Sequence, residues 1–481
     1  MTIIRPKIEL LDRDHLEKIF LEAKGILETQ GVLIENKEAQ SLLDKEEIHK
    51  KGERYFLPSD LIDRLLDSVP KRIRLYNREG KFSCELSGDN INFDPGSAAI
   101  FFQDPASGEI REARSSDFIM FTQIVDHLPN YSAQSTAIVY ADVPKEAQDW
   151  HRLYLALLHC SKPVITGTFQ VESFQVMSDL LEAVRGSPQK LAEKPMAIFD
   201  ACPSPPLMWS NLTTQSIIDG AKAGIPSEIV SMPLAGSTAP ISLIGCVTQH
   251  TAESLAGVAI AQLTKLGSPV IWGGSPAVFD MKTGTTPMGA IETMMINIAD
   301  AQIGKFLRLP THAYMGLSDS KVPDAQAGFE AGIGAALAAL AGINMISGGG
   351  MLDFESTQSV EKLIIDHEII GMANRLVNGI TDYGAPFASE ILADYDPNLS
   401  LLSHPSTLKL FRKELYLPFK VEGLQIINRD TRETWENNGG LSSRQQAKKL
   451  AEVLIQKTPR NPIDPSIQRE LDQIAEKHTY F

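Results

Sequence analysis

The sequence predicts an α/β fold, a (β/α)8 barrel flanked by helical extensions, on three observations. Short apolar runs alternate with helical patterns from about residue 131 to 377. The runs are hydrophobic almost throughout, as expected for parallel strands covered on both faces. Seven strand–helix pairs are clear, and a weaker eighth strand falls near Ala385–Leu392. That count suits a closed barrel better than an open sheet. Three segments follow: a helical extension over 1–95, the barrel over 96–400 and a second helical extension over 401–481. At 481 residues the chain is long for one core but within the range of an elaborated barrel.

The first extension is read from two apolar stripes. Leu16, Ile19, Phe20, Ala23, Ile26 and Leu27 recur at three and four, as do Leu61, Ile62, Leu65, Leu66 and Val69 after Ser59, a plausible N-cap. The stretch SAAIFFQDPASGEIREAR alternates and predicts a hairpin turning at Asp104–Gly108. The barrel strands are STAIVY, KPVITGTF, PMAIFDA, SEIVSMPLAG, SPVIWGG, THAYMG and GINMISGG. Helices between and after them fall at about 146–160, 172–186, 211–224, 246–266, 288–307, 324–341 and 359–377. In the last extension Ala447, Leu450, Ala451 and Leu454 form a stripe, broken by Pro459, Pro462 and Pro465.

Composition narrows the function classes. A net charge of -15 disfavours nucleic acid and anionic membranes, which require basic patches. It suits a cationic ligand, and equally an ordinary cytosolic enzyme. Cys84, Cys160, Cys202 and Cys246 are scattered, so neither a disulfide framework nor a zinc site is indicated. The start MTIIRPKIELLDRDH is too charged for a signal peptide, and no apolar run nears a membrane span, so a cytoplasmic location is expected.

A barrel carries its chemistry on the loops after its strands. The strand ends supply Tyr140 and Asp142, Thr168 and Phe169, Asp200 and Trp209, Gly236 to Thr238, Trp272 to Gly274 with Asp280, then His312, Tyr314, Asp319 and Lys321, and finally Gly348, Gly349, Gly350 and Asp353. Tyr140, Phe169, Trp272 and Tyr314 fit either core and rim packing or a cage whose ring faces attract a cation. Asp319 and Asp324 both suit the N-terminus of the helix near Pro323. Lys321 does not, because a cation is unfavourable there. His367 lies in line with Leu363 and Ile370 and reads as a core histidine.

Several signatures fail. GLSDSK lacks the second glycine of a phosphate loop, and Gly328, Gly332 and Gly334 lie inside a helix. No G-x-S-x-G, H-E-x-x-H or Cys/His cluster appears. The three glycines of SGGGML admit close approach to backbone, where barrels often bind anions.

Four loops together carry a resemblance: LAGSTAPISLIGCVTQHTAESLAG, FDMKTGTTPMGAIE, GLSDSKVPDAQAGFE and SGGGMLDFESTQSVEKLIIDHEIIG. With ILETQGVLI, LPSDLIDRLLDSVPKRIRLYNREG and FRKELYLPF they resemble the trimethylamine:corrinoid methyltransferase family over nearly the whole chain. The resemblance implies a TIM barrel that brings a methylammonium compound to the Co(I) of a partner corrinoid protein. The archaeal trimethylamine enzymes carry pyrrolysine in the cavity. This sequence contains none, and so resembles the bacterial branch, some of whose members demethylate glycine betaine, proline betaine or carnitine.

The chemistry agrees with that branch. A quaternary ammonium leaves as a neutral amine, so the barrel need supply no proton, metal or nucleophile of its own, only alignment. On this reading Tyr140, Phe169, Trp272 and Tyr314 form the cation cage, with Asp142 or Asp319 adding negative potential. His312, Lys321 or the amides of Gly348, Gly349 and Gly350 receive the carboxylate. Asp319 and Lys321 are the candidate catalytic residues. These assignments rest on strand-end position. Asp280, Glu292, Asp319, Lys321, Asp324, Gln326 and Glu330 match the resemblance. The expected partners are a cognate corrinoid protein and a small cationic amine. AGFEAGIGAALAALAG suits packing against the barrel or against a second copy, and a homo-oligomer is expected. The rivals are a barrel acting on a tertiary amine or methylated pterin, a non-catalytic betaine-binding barrel, and a lyase using Lys321 as a Schiff base.

Overall fold

The computed structural model of the chain describes all residues except 1, 97, 394, 395, 397–399, 458, 459 and 479–481. Eight parallel strands form the barrel: β1 (Phe93–Pro95), β2 (Gln134–Ser135), β3 (Val164–Gly167), β4 (Ala197–Ala201), β5 (Ser227–Ser231), β6 (Val270–Gly274), β7 (His312–Tyr314) and β8 (Met345–Gly349). Strands β2 to β6 pair in order, and β7–β8–β1 form a second run. The runs are joined by Trp272 N donating to Pro310 O and by Ser132 N donating to Phe93 O, each at 2.8 Å. The ring therefore closes, with the eight helices outside. These are α1 (Ser115–His127), α2 (Gln148–His159), α3 (Ser173–Arg185), α4 (Asn211–Ala223), α5 (Leu243–Thr264), α6 (Ile291–Phe306), α7 (Ala325–Leu340) and α8 (Val360–Val377).

The expected seven strands and seven helices all form. The eighth strand is not at Ala385–Leu392, where the chain instead enters a short helix, Ser389–Ala393. It is β1, within the segment read as N-terminal extension. β1 is only three residues long and contains Asp94 and Pro95, so it has no apolar run to reveal it. The hairpin after β1 forms as expected, Phe101–Gln103 against Ile110–Glu112.

A second hairpin, Ile73–Tyr76 with Phe82–Leu86, plugs the barrel floor. Its Ile73, Leu75, Cys84 and Leu86 pack against Ala133, Ile165, Ile198, Ile271 and Met345, the lowest inward side chains of the strands. The first extension covers α5: Ile19, Ala23, Leu27 and Leu61 pack with Val247, Leu255 and Val258. That covering explains why α5 is buried around most of its circumference and has no single apolar stripe. Ser59 is the first residue of its helix rather than the cap, and its hydroxyl donates to Glu28. The last extension buries Ala447, Leu450, Ala451 and Leu454 as the stripe requires. Pro465 opens the final helix, and Pro459 lies outside the described residues. Among the described residues, no helix is long and apolar enough to cross a membrane.

Candidate active site

Above its apolar floor the barrel interior turns polar. Asp94 of β1, Glu228 of β5, His312 of β7 and Ser347 of β8 are all buried. Gly273 makes room for Glu228, since a Cβ there would lie 2.6 Å from Oε1. The Ser347 hydroxyl donates to Asp94 Oδ1 at 2.5 Å and lies 2.8 Å from His312 Nε2. His312 Nδ1 lies 2.5 Å from Glu228 Oε1. Desolvation pushes the carboxyls of Asp94 and Glu228 well up and the imidazole down. All three directions favour the uncharged forms.

A cavity of about 370 Å³ opens above this layer, at the C-terminal mouth. Its wall includes Thr136, Arg152, Thr168, Phe169, Asp200, Cys202, Tyr314 and Glu355. The Tyr314 ring stands edge-on to His312, at 4.9 Å and 86°. Asp200 Oδ1 and Glu355 Oε1 are buried and, among the described residues, make no hydrogen bond. Burial raises Asp200 well above the usual carboxylate range. Burial first, then the charge of Asp319, pushes Glu355 up to about 8.

Two local structures hold charged groups on this wall. Arg152 of α2 is 2% exposed. Its Nε donates to Gln148 O at 3.1 Å and its Nη1 to Thr136 O at 2.8 Å. Its guanidinium carbon lies 4.4 Å over the Phe169 ring. Glu355 ends a turn in which Asp353, Phe354 and Glu355 have φ of 52°, 54° and 71°. Left-handed backbone at non-glycine residues costs about 1 kcal/mol or more each, a strain seen mainly at functional sites. Lys321 clips this turn down. Its Nζ lies 3.8 Å from the Phe354 ring centroid and 3.3 Å from Asp353 Oδ1, and donates to Asp319 O at 2.8 Å.

Of the expected cage, Phe169 and Tyr314 face the cavity. Trp272 does not: strand alternation turns it outward, where it packs beside His250 and under Gly304 of α6. Tyr140 is buried beside Phe118, its hydroxyl 2.6 Å from His151 Nδ1. Asp142 accepts from Ser115 N and Oγ at the start of α1. His312 lies beneath the cavity, its Nε2 against Ser347 Oγ and its Nδ1 beside Glu228 Oε1.

The glycines serve packing. A Cβ at Gly348 would meet Gly316 and Leu317 at 2.9 Å, and the Gly350 amide already donates to Asp366. Asp319 accepts from Gly289 N and does not cap α7, which Asp324 caps through Ala327 N. The crowded turn before α7 is thus largely a brace, in which Glu330 accepts from Ser318 Oγ and from Asp319 N.

Sequence reasoning passed over Arg152, Glu355, Asp94 and Glu228. Two of them left a trace. Glu228 interrupts the apolar strand SEIVS, and Arg152 sits among the apolar positions of DWHRLYLALLH. Charge at a position that must be buried is a signal of function. Glu355 left none, because its place depends on the turn.

The profile of the family described as trimethylamine methyltransferase (MTTB) matches residues 2–480. The chain is 29% identical over 480 residues to trimethylamine methyltransferase MttB of Methanosarcina barkeri, covering 98% of this chain and 95% of that one. It is 28% identical over 474 residues to glycine betaine methyltransferase of Desulfitobacterium hafniense (strain Y51), covering 98% and 96%. In fold it is similar to the crystal structure of the Methanosarcina barkeri monomethylamine methyltransferase (MtmB). The TM-score is 0.52 at 11% identity, covering 98% of this chain and 88% of that one. A barrel whose mouth holds a small acidic and aromatic cavity, matched from end to end by one family, makes this chain a methyltransferase of the trimethylamine methyltransferase family.

Proposed function

We propose that the chain transfers a methyl group from a quaternary amine, with glycine betaine the best candidate, to the corrinoid of a partner protein. The observation that carries the reading is the cavity wall. Phe169 and Tyr314 offer ring faces, and Asp200 and Glu355 offer unpaired carboxylate oxygens, a lining that suits a methylated ammonium. The similarity to proteins named for trimethylamine and glycine betaine supports the same substrate type. At about 370 Å³ the cavity is of small-molecule size, so the corrinoid belongs outside the mouth, on its own protein. When bound there, the reduced corrinoid supplies the nucleophile.

The chain's own work is to bind, orient and exclude water. Tyr314 and Phe169 confine the head group while Glu355 and Asp200 hold its charge. One methyl group is thereby turned toward the mouth, an alignment that accounts for much of the rate in such reactions. Asp319 and Lys321 act through the loops they brace. Self-association through the outer face of α7, where Phe329 and Ile333 are exposed, is part of this reading.

The test is a donor panel of glycine betaine, proline betaine, carnitine and trimethylamine with free cob(I)alamin, read by its absorbance change. Donor-dependent consumption with a quaternary amine is expected. A response to trimethylamine alone would move the substrate to the tertiary class, and binding without any consumption would make the barrel a sensor.

A further inference from the structure

Arg152 is a buried cation that the alignment of a methylated ammonium does not use. It lines the cavity, yet among the described residues it forms no ion pair within 4 Å; the carboxylates whose charge reaches it, Asp149 and Asp200, lie farther off. Its two described hydrogen bonds go to backbone carbonyls, which fix the guanidinium without neutralising it. Asp149, on the same helix turn, is already engaged: its oxygens accept from Phe169 N, Gln170 N and Ser173 Oγ. Phe169 covers one face of the guanidinium, leaving its edge for a ligand. Burying a charge without a partner is costly, and such groups persist where a ligand completes them. Burial lowers the guanidinium to about 10, so it stays charged at neutral pH.

We propose that Arg152 is the anion pole of the cavity, the side chain that pairs the carboxylate of the methyl donor and so sets a preference for betaines over simple ammonium ions. The inference rests on the methyl-donor reading above and deepens it. One wall then meets both ends of one small molecule: Arg152 takes the carboxylate, and Asp200, Glu355 and Tyr314 take the ammonium. A planar, forked donor suits a carboxylate better than a point charge does. Specificity follows, because a cation without a carboxylate leaves the guanidinium unpaired.

The experiment is titration calorimetry of the full chain with glycine betaine and with tetramethylammonium, which has the ammonium but no carboxylate. The wild-type protein should bind betaine at least about tenfold more tightly, the usual worth of a charged hydrogen bond. Arg152→Met keeps the stem on Phe169 and removes the charge. It should weaken betaine about 10- to 100-fold and leave tetramethylammonium no weaker. Arg152→Lys should recover part of the loss.

Equal losses for both ligands would reduce Arg152 to a structural or Asp200-balancing role and overturn the proposal. So would equal affinity of the wild type for the two, a result that needs no variant to fold. Discrimination without consumption of cob(I)alamin would leave the anchor standing and sink the methyl-transfer reading. Consumption without discrimination would do the reverse.

Discussion

Replacing Glu355 by Gln tests whether the strained turn exists to place a charge. Burial holds this carboxyl at about 8, so below that pH it is mostly protonated in the free protein. A bound ammonium favours the ionised form. At roughly 5 Å and an effective dielectric near 20 the attraction is about 3 kcal/mol, or about 150-fold in affinity. At pH 7 the proton must first leave, at a cost of about 1.4 kcal/mol, and the net benefit falls to about 15-fold.

Glu355→Gln should therefore weaken tetramethylammonium about 15-fold at pH 7 and more than about 100-fold at pH 9. Wild-type affinity should rise with pH and level above about 8, with proton release on binding at pH 7. Asp200, which burial also raises, is common to wild type and variant and cancels in their ratio. Asp319 titrates near 6, Arg152 stays charged to about 10, and the Cys202 thiol is pushed up to about 12. Calorimetry in buffers of different ionisation enthalpy reads both quantities. A wild-type to variant ratio that does not change between pH 6.5 and 9 would refute the argument.

Three further outcomes are expected. Burial raises the Glu228 carboxyl well above its usual range, so its folded value lies above its unfolded one, and its contribution to stability is lost as pH rises. Glu228→Gln should thus raise the melting temperature at pH 8 and change it little at pH 4, while lowering activity; melting curves at the two pH values decide. Lys321→Met should keep kcat within about threefold and speed amide exchange over residues 350–357, since a cation–π contact and a largely exposed ion pair together contribute about 1 kcal/mol; loss of all turnover would instead make Lys321 a reacting group. Tyr314→Ala should raise KM and, because the ring is buried, also lower the melting temperature, whereas Trp272→Ala should leave KM unchanged and cost about 3–5 kcal/mol of stability, read by denaturant unfolding, because its ring fills the barrel–helix layer.

The sequence by itself determined the barrel. Hydrophobic period is a local property, and near-continuous apolar strands alternating with amphipathic helices leave few other ways to bury both faces. It also determined the family, through loops whose residues occur in a fixed order. β1 escaped because three residues with an aspartate carry no period, and ring closure alone makes them a strand.

The site was legible only to the level of the loop. Which of Trp272 and Tyr314 faces inward is set by strand alternation and register. A one-residue change in either reverses every side chain, and sequence does not resolve that. Arg152, on a helix, reaches the mouth only through the packing of α2 against β3 and its hydrogen bond to Thr136 O. Glu355 enters through a backbone conformation its residue types disfavour, held by contacts from another loop. Tertiary structure decided the charges because long-range packing overruled local preference at those two positions.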